Sequence, residues 1–472
     1  MPPADATKTL ALPLLTAMVV GSMLAAGIFT VPSSFAKATG PLGLLVVMLV
    51  AGAGTIALAA CFQWLAARRP DLDAGIFAYA LAGFGPYAGF LAAFAYWAGT
   101  CFLSAAYFVL IKSALGRVVP AFGTGDTPQA ILAASVMLWV VHALILRGTK
   151  KAALVNGLVT AAKVMALVGA IVILAFGFDW PTFAGNFWGS ADDSYDLAAV
   201  PRQVRDATLV AVYIFLGVEG ASIYSRYAKR REDVGRATFW GLGLVGLLFL
   251  LVTTLAYGVM PQSELAGLRT PSLPLIVEEV VGRPGAVFVG VALLLALTGA
   301  FLSRSLLAAE VLSAAARAGI APRLFARENS RRVPAPALWL SSLTVQGLLL
   351  ASLFAEAAYT RWFELTSAMI IVPYLLVAAF ALSLARNEGV GRRERALATV
   401  AVLYTVFLLW AAGWTFLLVF ALLFALGTGL YVVARREQGA RLFRPAEAFV
   451  FGLSVVGGLV LVQLLATGAV RI

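Results

Sequence analysis

Charged residues are scarce in this chain. Lysine, arginine, aspartate and glutamate together make up 12% of its 472 residues, whereas 61% are hydrophobic and the mean hydropathy is +0.93. A soluble globular chain carries about a quarter charged residues. Apolar runs of about 20 residues, the length that crosses a bilayer, recur along the whole sequence. The composition therefore excludes a soluble domain and predicts an all-α polytopic membrane protein.

Cysteine and histidine are almost absent. Cys61 and Cys101 both fall inside apolar runs, which argues against a disulfide framework. We interpret the single histidine, His142, as a packing residue because no other ligand residues cluster near it in the sequence. The chain also has no phosphate-binding loop and no Ser/His/Asp arrangement. We therefore expect no enzyme activity, no cofactor and no bound metal.

The apolar runs predict thirteen membrane spans and their orientation. The spans are placed at residues 9–36, 41–66, 86–115, 128–146, 153–178, 206–225, 237–260, 285–315, 336–356, 361–385, 396–411, 414–434 and 446–468. With the N-terminus in the cytoplasm, most of the 35 basic residues fall in inner loops, as the positive-inside rule requires. The net charge of +12 thus reflects topology in a plasma or inner membrane, and no nucleic-acid partner follows from it.

The first span contains small residues and a proline in its centre, from Gly21 through Gly27 to Pro32. Glycine costs about 1 kcal/mol and proline about 3 kcal/mol in a helix interior, so the run predicts a helix break. Unwound backbone inside a bilayer is tolerated where it lines a cavity, which makes a break a candidate substrate site. The alternative interpretation is a close helix contact through small residues.

The sixth span repeats this pattern around Gly217, Glu219 and Gly220. Each break falls in the first helix of a five-helix block, and an odd number of spans inverts the second copy. We therefore predict inverted repeats over 1–180 and 181–390, followed by accessory helices over 391–472. Half-helix N-termini suit a carboxylate and half-helix C-termini suit an ammonium group, so the breaks together suit an α-amino acid. A channel is an alternative, but paired breaks favour alternating access.

Several motifs, in order along about 300 residues, resemble those of the amino acid/polyamine/organocation transporter superfamily. Within it, the chain is most similar to the arginine/ornithine branch of the basic amino acid/polyamine antiporters. The motifs are Gly21-Ser22-Met23, Gly27-Ile28-Phe29, residues 70–79, residues 217–222, Ser225 with residues 228–231, residues 306–310, residues 322–329 and residues 333–335. The resemblance implies a five-plus-five inverted-repeat fold of the leucine-transporter type, with extra C-terminal helices and about 12 to 13 spans in all.

The resemblance also implies where the substrate head group lies. Its carboxylate would bind the backbone of Ala26 and Gly27 and the hydroxyl of Ser22. Amino acids are thus the implied substrates, the bilayer is the surrounding medium, and a homodimer is implied by analogy with relatives.

The carbonyls near Met23, Tyr213 and Leu216 would receive the α-ammonium group, and Tyr213 would form an aromatic lid. Glu219 matches a carboxylate that relatives use in gating and proton sensing; the alternative is a structural, hydrogen-bonded acid. Lys163 matches an ammonium group that takes the place of sodium in proton-coupled relatives and would act as a proton carrier; the alternative is a fixed ion pair or carbonyl clamp. Sodium dependence is not expected.

Two departures from the branch concern the substrate side chain. Arg304 stands where the branch usually has a tryptophan, and Ser104 stands where it usually has an asparagine. Lys112 adds a further cation. A guanidinium facing the cavity would repel a cationic side chain by about 4 kcal/mol at about 4 Å. Alternatively, Arg304 turns away and snorkels or pairs with an acid such as Glu310.

The leading hypothesis is an amino acid antiporter of the arginine/ornithine type. It would work by rocking spans one, two, six and seven against spans three, four, eight and nine. The alternative within transport is a proton-coupled permease or exchanger for acidic or neutral amino acids. A non-transporting amino acid sensor is the alternative from another class.

Overall fold

The computed structural model describes the chain apart from a set of short segments and the two termini. These are residues 1–10, 25–26, 70, 73–75, 117–118, 124, 126, 149, 190–197, 216, 218–229, 355–357, 390 and 471–472. The regular elements of the described residues are α-helices and three 3-10 turns, Gly27–Phe29, Pro120–Phe122 and Arg323–Ala326. The prediction of an all-α protein is confirmed.

The helices follow one another with short connections. They are α1 (Leu12–Met23), α2 (Val31–Ala36), α3 (Pro41–Arg68), α4 (Ile76–Phe84), α5 (Pro86–Gly116), α6 (Pro128–Leu146), α7 (Lys150–Phe176), α8 (Trp180–Asn186), α9 (Val200–Ile214), α10 (Arg231–Ala256), α11 (Gln262–Gly267), α12 (Leu273–Val281), α13 (Arg283–Arg317), α14 (Ala335–Ala351), α15 (Ala358–Asn387), α16 (Arg392–Ala412), α17 (Trp414–Glu437) and α18 (Pro445–Ala466). Proline opens several of them, because its missing N–H has no partner at a helix start.

Nine of the described helices are long and apolar enough to cross a membrane. A tenth span is formed if α7 and α8 are counted together; the axis turns by 100° between them. The three remaining predicted spans coincide with shorter helical segments, namely α1 with α2, α9, and the 17-residue α14. The chain is thus a multi-pass membrane protein. The cytoplasmic N-terminus and the inverted repeat stay predictions.

The chain divides into two compact units. The first comprises residues 1–63, 110–130 and 153–301. Within it, α1 packs along α10, and α2 packs against α9, α10 and α11. Gly241 of α10 allows the close approach of α1, because a Cβ there would lie 2.6 Å from Cγ1 of Val19. The first unit therefore surrounds the predicted break in the first span.

The second unit comprises residues 64–109, 131–152 and 302–472. Its core is aromatic: the ring of Tyr87 lies 5.1 Å from that of Tyr431, and its hydroxyl is 2.9 Å from Oγ1 of Thr428. The ring of Phe94 packs on Gly427 of α17, where a Cβ would lie 2.5 Å from Cζ of that ring. α15 packs along α16, and α17 along α18.

Both cysteines of the chain, Cys61 in the first unit and Cys101 in the second, are buried free thiols.

Candidate functional site

The first predicted break is present. Helix α1 ends at Met23, and Leu24 leaves helical geometry with φ −73° and ψ 56°. After two residues outside the described part, Gly27–Phe29 forms a buried 3-10 turn, and α2 begins at Val31 with Pro32 in its first turn. The hydroxyl of Thr30 donates to the carbonyl of Gly27 at 2.9 Å. The last carbonyls of α1 are therefore released from the regular i to i+4 pattern.

Lys163 of α7 supplies a donor to one of these carbonyls. Its Nζ lies 2.7 Å from the carbonyl oxygen of Gly21, and the side chain is only 3% exposed. A hydrogen bond from a charged donor is about twice as strong as a neutral one, and burial strengthens it further. Lys163 thus joins α7 to the end of α1 within the first unit, and its role in proton coupling stays a prediction.

The second predicted break begins at the end of α9. Helix α9 ends at Ile214, and the N–H of Phe215 bonds back to the carbonyl of Val212 at 3.1 Å. Gly217 follows with φ +101°, a conformation that L side chains rarely adopt. Helix α9 contacts the 3-10 turn Gly27–Phe29. The structure therefore places α9 against the first break within the first unit, while the rest of the predicted second break, from residue 218, lies outside the described residues.

Five predicted site residues lie wholly or partly outside the described residues. Ala26, Leu216 and Glu219 are outside altogether. Ser22 and Tyr213 have described helical backbones, near the ends of α1 and α9, but their side chains are outside the described part. Their substrate and gating roles stay predictions. Met23 and Gly27, in contrast, are described and buried on either side of the first break.

Ser104 and Arg304 belong to the second unit, on α5 and α13. Ser104 is buried, and its hydroxyl donates to the carbonyl of Thr100 one turn earlier at 2.9 Å. This bond uses the only hydroxyl proton and leaves the oxygen able to accept. Arg304 is only 8% exposed, so it does not snorkel along the outer surface of the protein. Whether either residue contacts substrate stays a prediction.

A polar network at the end of α2 was not predicted from the sequence. Oη of Tyr257 donates to the carbonyl of Thr39 at 2.5 Å, and Nε2 of Gln262 donates to the carbonyl of Ala36 at 2.9 Å. The hydroxyl of Thr39 donates to Oε1 of Gln203 at 2.8 Å. The bonds from Tyr257 and Gln262 satisfy carbonyls at and just beyond the end of the short helix α2, which have no intrahelical partners.

Asn186 joins this network from the end of α8. Its Nδ2 donates to the carbonyls of Tyr257 at 2.6 Å and Met260 at 3.0 Å, and its Oδ1 accepts from the N–H of Gln262 at 2.8 Å. The residue is buried, so all of these bonds form away from water. The signal in the sequence for this network was an amide, Asn186, in a connection otherwise rich in tryptophan and glycine. The residues around it do not indicate its hydrogen-bond partners, which lie more than 70 positions away. The network anchors the half-helix that follows the first break.

The broken first span and the helices around it define a class of protein. A multi-pass helical membrane protein whose first span is broken, bound at the break by a buried lysine and packed there against α9, has the architecture of a secondary transporter. A family model described as amino acid permease matches residues 10–439. The chain therefore belongs to the amino acid permease family.

Individual relatives agree over almost the full length. The chain is 43% identical to an arginine/ornithine antiporter of Pseudomonas aeruginosa over 469 residues, 97% of each protein. It is 34% identical to an L-lysine transport protein of Corynebacterium glutamicum, covering 96% of this chain and 94% of that one. It is 33% identical to an arginine/agmatine antiporter of Chlamydia caviae, covering 90% and 89%. The predicted family resemblance is confirmed.

Proposed function

We propose that this protein is a basic amino acid antiporter of the plasma membrane that exchanges arginine for ornithine or a similar cation. The observation that carries the proposal is the 43% identity to an arginine/ornithine antiporter across 97% of both chains. The names of two other relatives concern lysine, arginine and agmatine, all of which carry a positive charge. The alternative with acidic or neutral substrates is therefore not favoured.

The geometry of the breaks supports recognition of the amino acid head group. The final carbonyls of α1 and α9 point out of helices that stop at Met23 and Ile214, and carbonyls of this kind suit an α-ammonium group. The backbone of Ala26 and Gly27, with the hydroxyl of Ser22, is proposed to hold the carboxylate. The turn that follows the first break contacts α9, which supports the binding of one α-amino acid by both segments.

Alternating access is the proposed mechanism. Short half-helices such as α2 are held by side-chain hydrogen bonds rather than by long helical packing, so they can shift without unfolding a whole span. Exchange then follows if an occupied site reorients much faster than an empty one, because the substrate replaces the missing hydrogen-bond partners of the breaks. Substrate that binds on one side of the membrane would thus let the protein reorient and carry substrate back from the other side.

Arg304 provides the sharpest test of the substrate class. Proteoliposomes loaded with labelled arginine should exchange it for external arginine, ornithine or lysine, while glutamate, aspartate and neutral amino acids should leave the label inside. The Arg304→Trp variant should keep this order of preference and take up cations at least as well as the wild type, since a buried guanidinium is removed. The measurement is counterflow with each amino acid in turn.

Two results would contradict the proposal. If only acidic or neutral amino acids compete in the wild type and Arg304→Trp shifts the preference to cations, Arg304 selects the substrate and the protein is not a basic amino acid antiporter. If no amino acid exchanges at all in a protein that binds arginine, the chain is a sensor. Trp410→Phe, an exposed change in α16, controls for effects of reconstitution.

Proton sensing by Glu219 is a further part of the proposal. We expect Glu219→Gln to flatten the dependence of arginine exchange on pH, because the amide keeps the shape of the carboxyl group but cannot titrate. The measurement is the initial exchange rate between pH 5 and pH 8. Glu264→Gln, on the exposed face of α11, is the matched control and should keep the wild-type profile. An unchanged profile in Glu219→Gln would remove the gating role.

A further inference from the structure

Three arginines lie in the two connections that come together where α6 ends and α14 is about to begin, in the second unit. They are Arg147, Arg331 and Arg332, all exposed, and they lie in loops predicted to face the cytoplasm. The ion pairs found among the described residues involve other arginines. This cluster, called here the arginine cluster, therefore presents three positive charges without a carboxylate from the described part of the chain.

The loop that carries two of these arginines is built around Asn329. Its Oδ1 accepts from the N–H groups of Arg331 at 2.9 Å and Val333 at 3.0 Å, while its Nδ2 donates to the carbonyl of Leu146 at 3.0 Å. The turn places Arg332 at φ +58°, the only such value found for a non-glycine residue in the described part. The hydrogen bonds of Asn329 and the left-handed backbone of Arg332 thus fix the course of this turn.

Arg331 ties the loop to the end of α6. Its Nη1 donates to the carbonyl of Arg147 at 2.8 Å, and its Cδ passes over Gly148. A guanidinium has five N–H groups, so a single bond to the protein leaves donors for a planar or tetrahedral anion. The side chain of Arg331 is thus tied to the backbone of Arg147 within the second unit, and Arg332 follows it directly in the chain.

Apolar side chains continue from the arginine cluster along the two helices. On α14, Trp339 and Leu343 are 46% and 53% exposed, and on α6, Val140 and Leu144 are 53% and 51% exposed. Each pair has i, i+4 spacing and so lies on one face of its helix. The ring of Trp339 is held 4.4 Å from that of His142. An aromatic ring fixed between charge and apolar surface is typical of a membrane interface.

We propose that this surface binds one anionic phospholipid. The phosphate lies against the arginine cluster, and an acyl chain follows the apolar face of α6 and α14 beside Trp339. Charge complementarity selects an anionic head group over a zwitterionic one, because basic residues at the membrane surface each contribute about fivefold to the binding of anionic lipid. The exposed apolar side chains of α6 and α14 favour a lipid over a free phosphate ion.

Native mass spectrometry of the detergent-purified protein tests the proposal. Phosphatidylglycerol, phosphatidylcholine with the same acyl chains, and inorganic phosphate are titrated separately. We expect the wild type to retain one phosphatidylglycerol more tightly than phosphatidylcholine. Arg331→Gln/Arg332→Gln should weaken that binding by about 25-fold, at about fivefold for each arginine. Arg392→Gln/Arg393→Gln, an exposed basic pair on α16, is the matched control and should leave this tightest binding unchanged.

A second variant covers the case in which the loop is disturbed. Arg332→Gln alone keeps every backbone bond of the turn, and it should weaken phosphatidylglycerol binding by about fivefold. Trp339→Leu should weaken both lipids, because it removes the aromatic contact and keeps the charge. The proposal would be overturned if the Arg392/Arg393 control lost as much phosphatidylglycerol binding as Arg331→Gln/Arg332→Gln, or if neither variant that changes Arg332 lost any. It would also be overturned if inorganic phosphate bound as tightly as phosphatidylglycerol.

Discussion

Lys163→Met should reduce arginine exchange by about 10- to 100-fold while leaving the protein folded. Methionine keeps most of the length and volume of lysine but loses the ammonium, which lies 2.7 Å from the carbonyl of Gly21. A hydrogen bond to a charged group contributes about 1.5 to 3 kcal/mol, and its loss leaves a buried carbonyl unpaired. The broken end of α1 would then lose its link to α7. Initial exchange rates in proteoliposomes measure the effect.

Further variants separate the charge from the volume of the side chain. Lys163→Ala should be at least as impaired, since it also leaves a cavity. Lys37→Ala removes an exposed lysine just beyond α2 in the same unit and should behave like the wild type. Size-exclusion profiles of all the variants check that the fold survives. Wild-type exchange by Lys163→Met would show that the ammonium has no part in transport.

Gly217→Ala should lower exchange by about 5- to 100-fold and lower the melting temperature. At φ +101° the added Cβ meets the backbone, and a strained residue of this kind costs about 1 to 3 kcal/mol. The strain could be relieved only by turning the backbone after α9, which would move the second break away from the first. Exchange rate and thermal unfolding in detergent are the two measurements.

Gly243→Ala is the matched control for this substitution. Gly243 lies inside α10, and a Cβ there would have no atom within 4 Å. Alanine in a helix is favoured over glycine by about 0.4 to 1 kcal/mol, so this variant should melt at the same or a slightly higher temperature. If Gly217→Ala matches Gly243→Ala in both measurements, the left-handed backbone at Gly217 is not required.

The positions of the breaks were predictable because their causes are local. Glycine and proline disfavour a helix wherever they stand in its interior, so Gly21, Gly27, Pro32 and Gly217 marked both interruptions before any contact was known. The end of α1 at Met23 and of α9 at Ile214 agree with that prediction. Lys163, in contrast, was singled out through the family resemblance, because its position matches an ammonium group of proton-coupled relatives.

Span lengths were predicted less well than span positions. The sequence indicated thirteen full spans, whereas nine described helices pass as spans by themselves and α7 with α8 makes a tenth. Hydropathy averages over a window and cannot distinguish a continuous helix from two short ones or from a 100° turn such as that after Phe176. The short helices α2 and α8 depend on side-chain bonds from elsewhere in the chain, which a window does not include.

The sequence by itself determined that this is a multi-pass transporter of the amino acid permease family, because hydropathy, small-residue breaks and motif order are properties of neighbouring residues. Only the tertiary structure decided which carbonyl Lys163 binds, how Asn186 anchors the end of α2, and that Arg331 reaches the end of α6. Those contacts join residues far apart in the chain. Their formation depends on how helices pack, and the local pattern around each residue does not encode that.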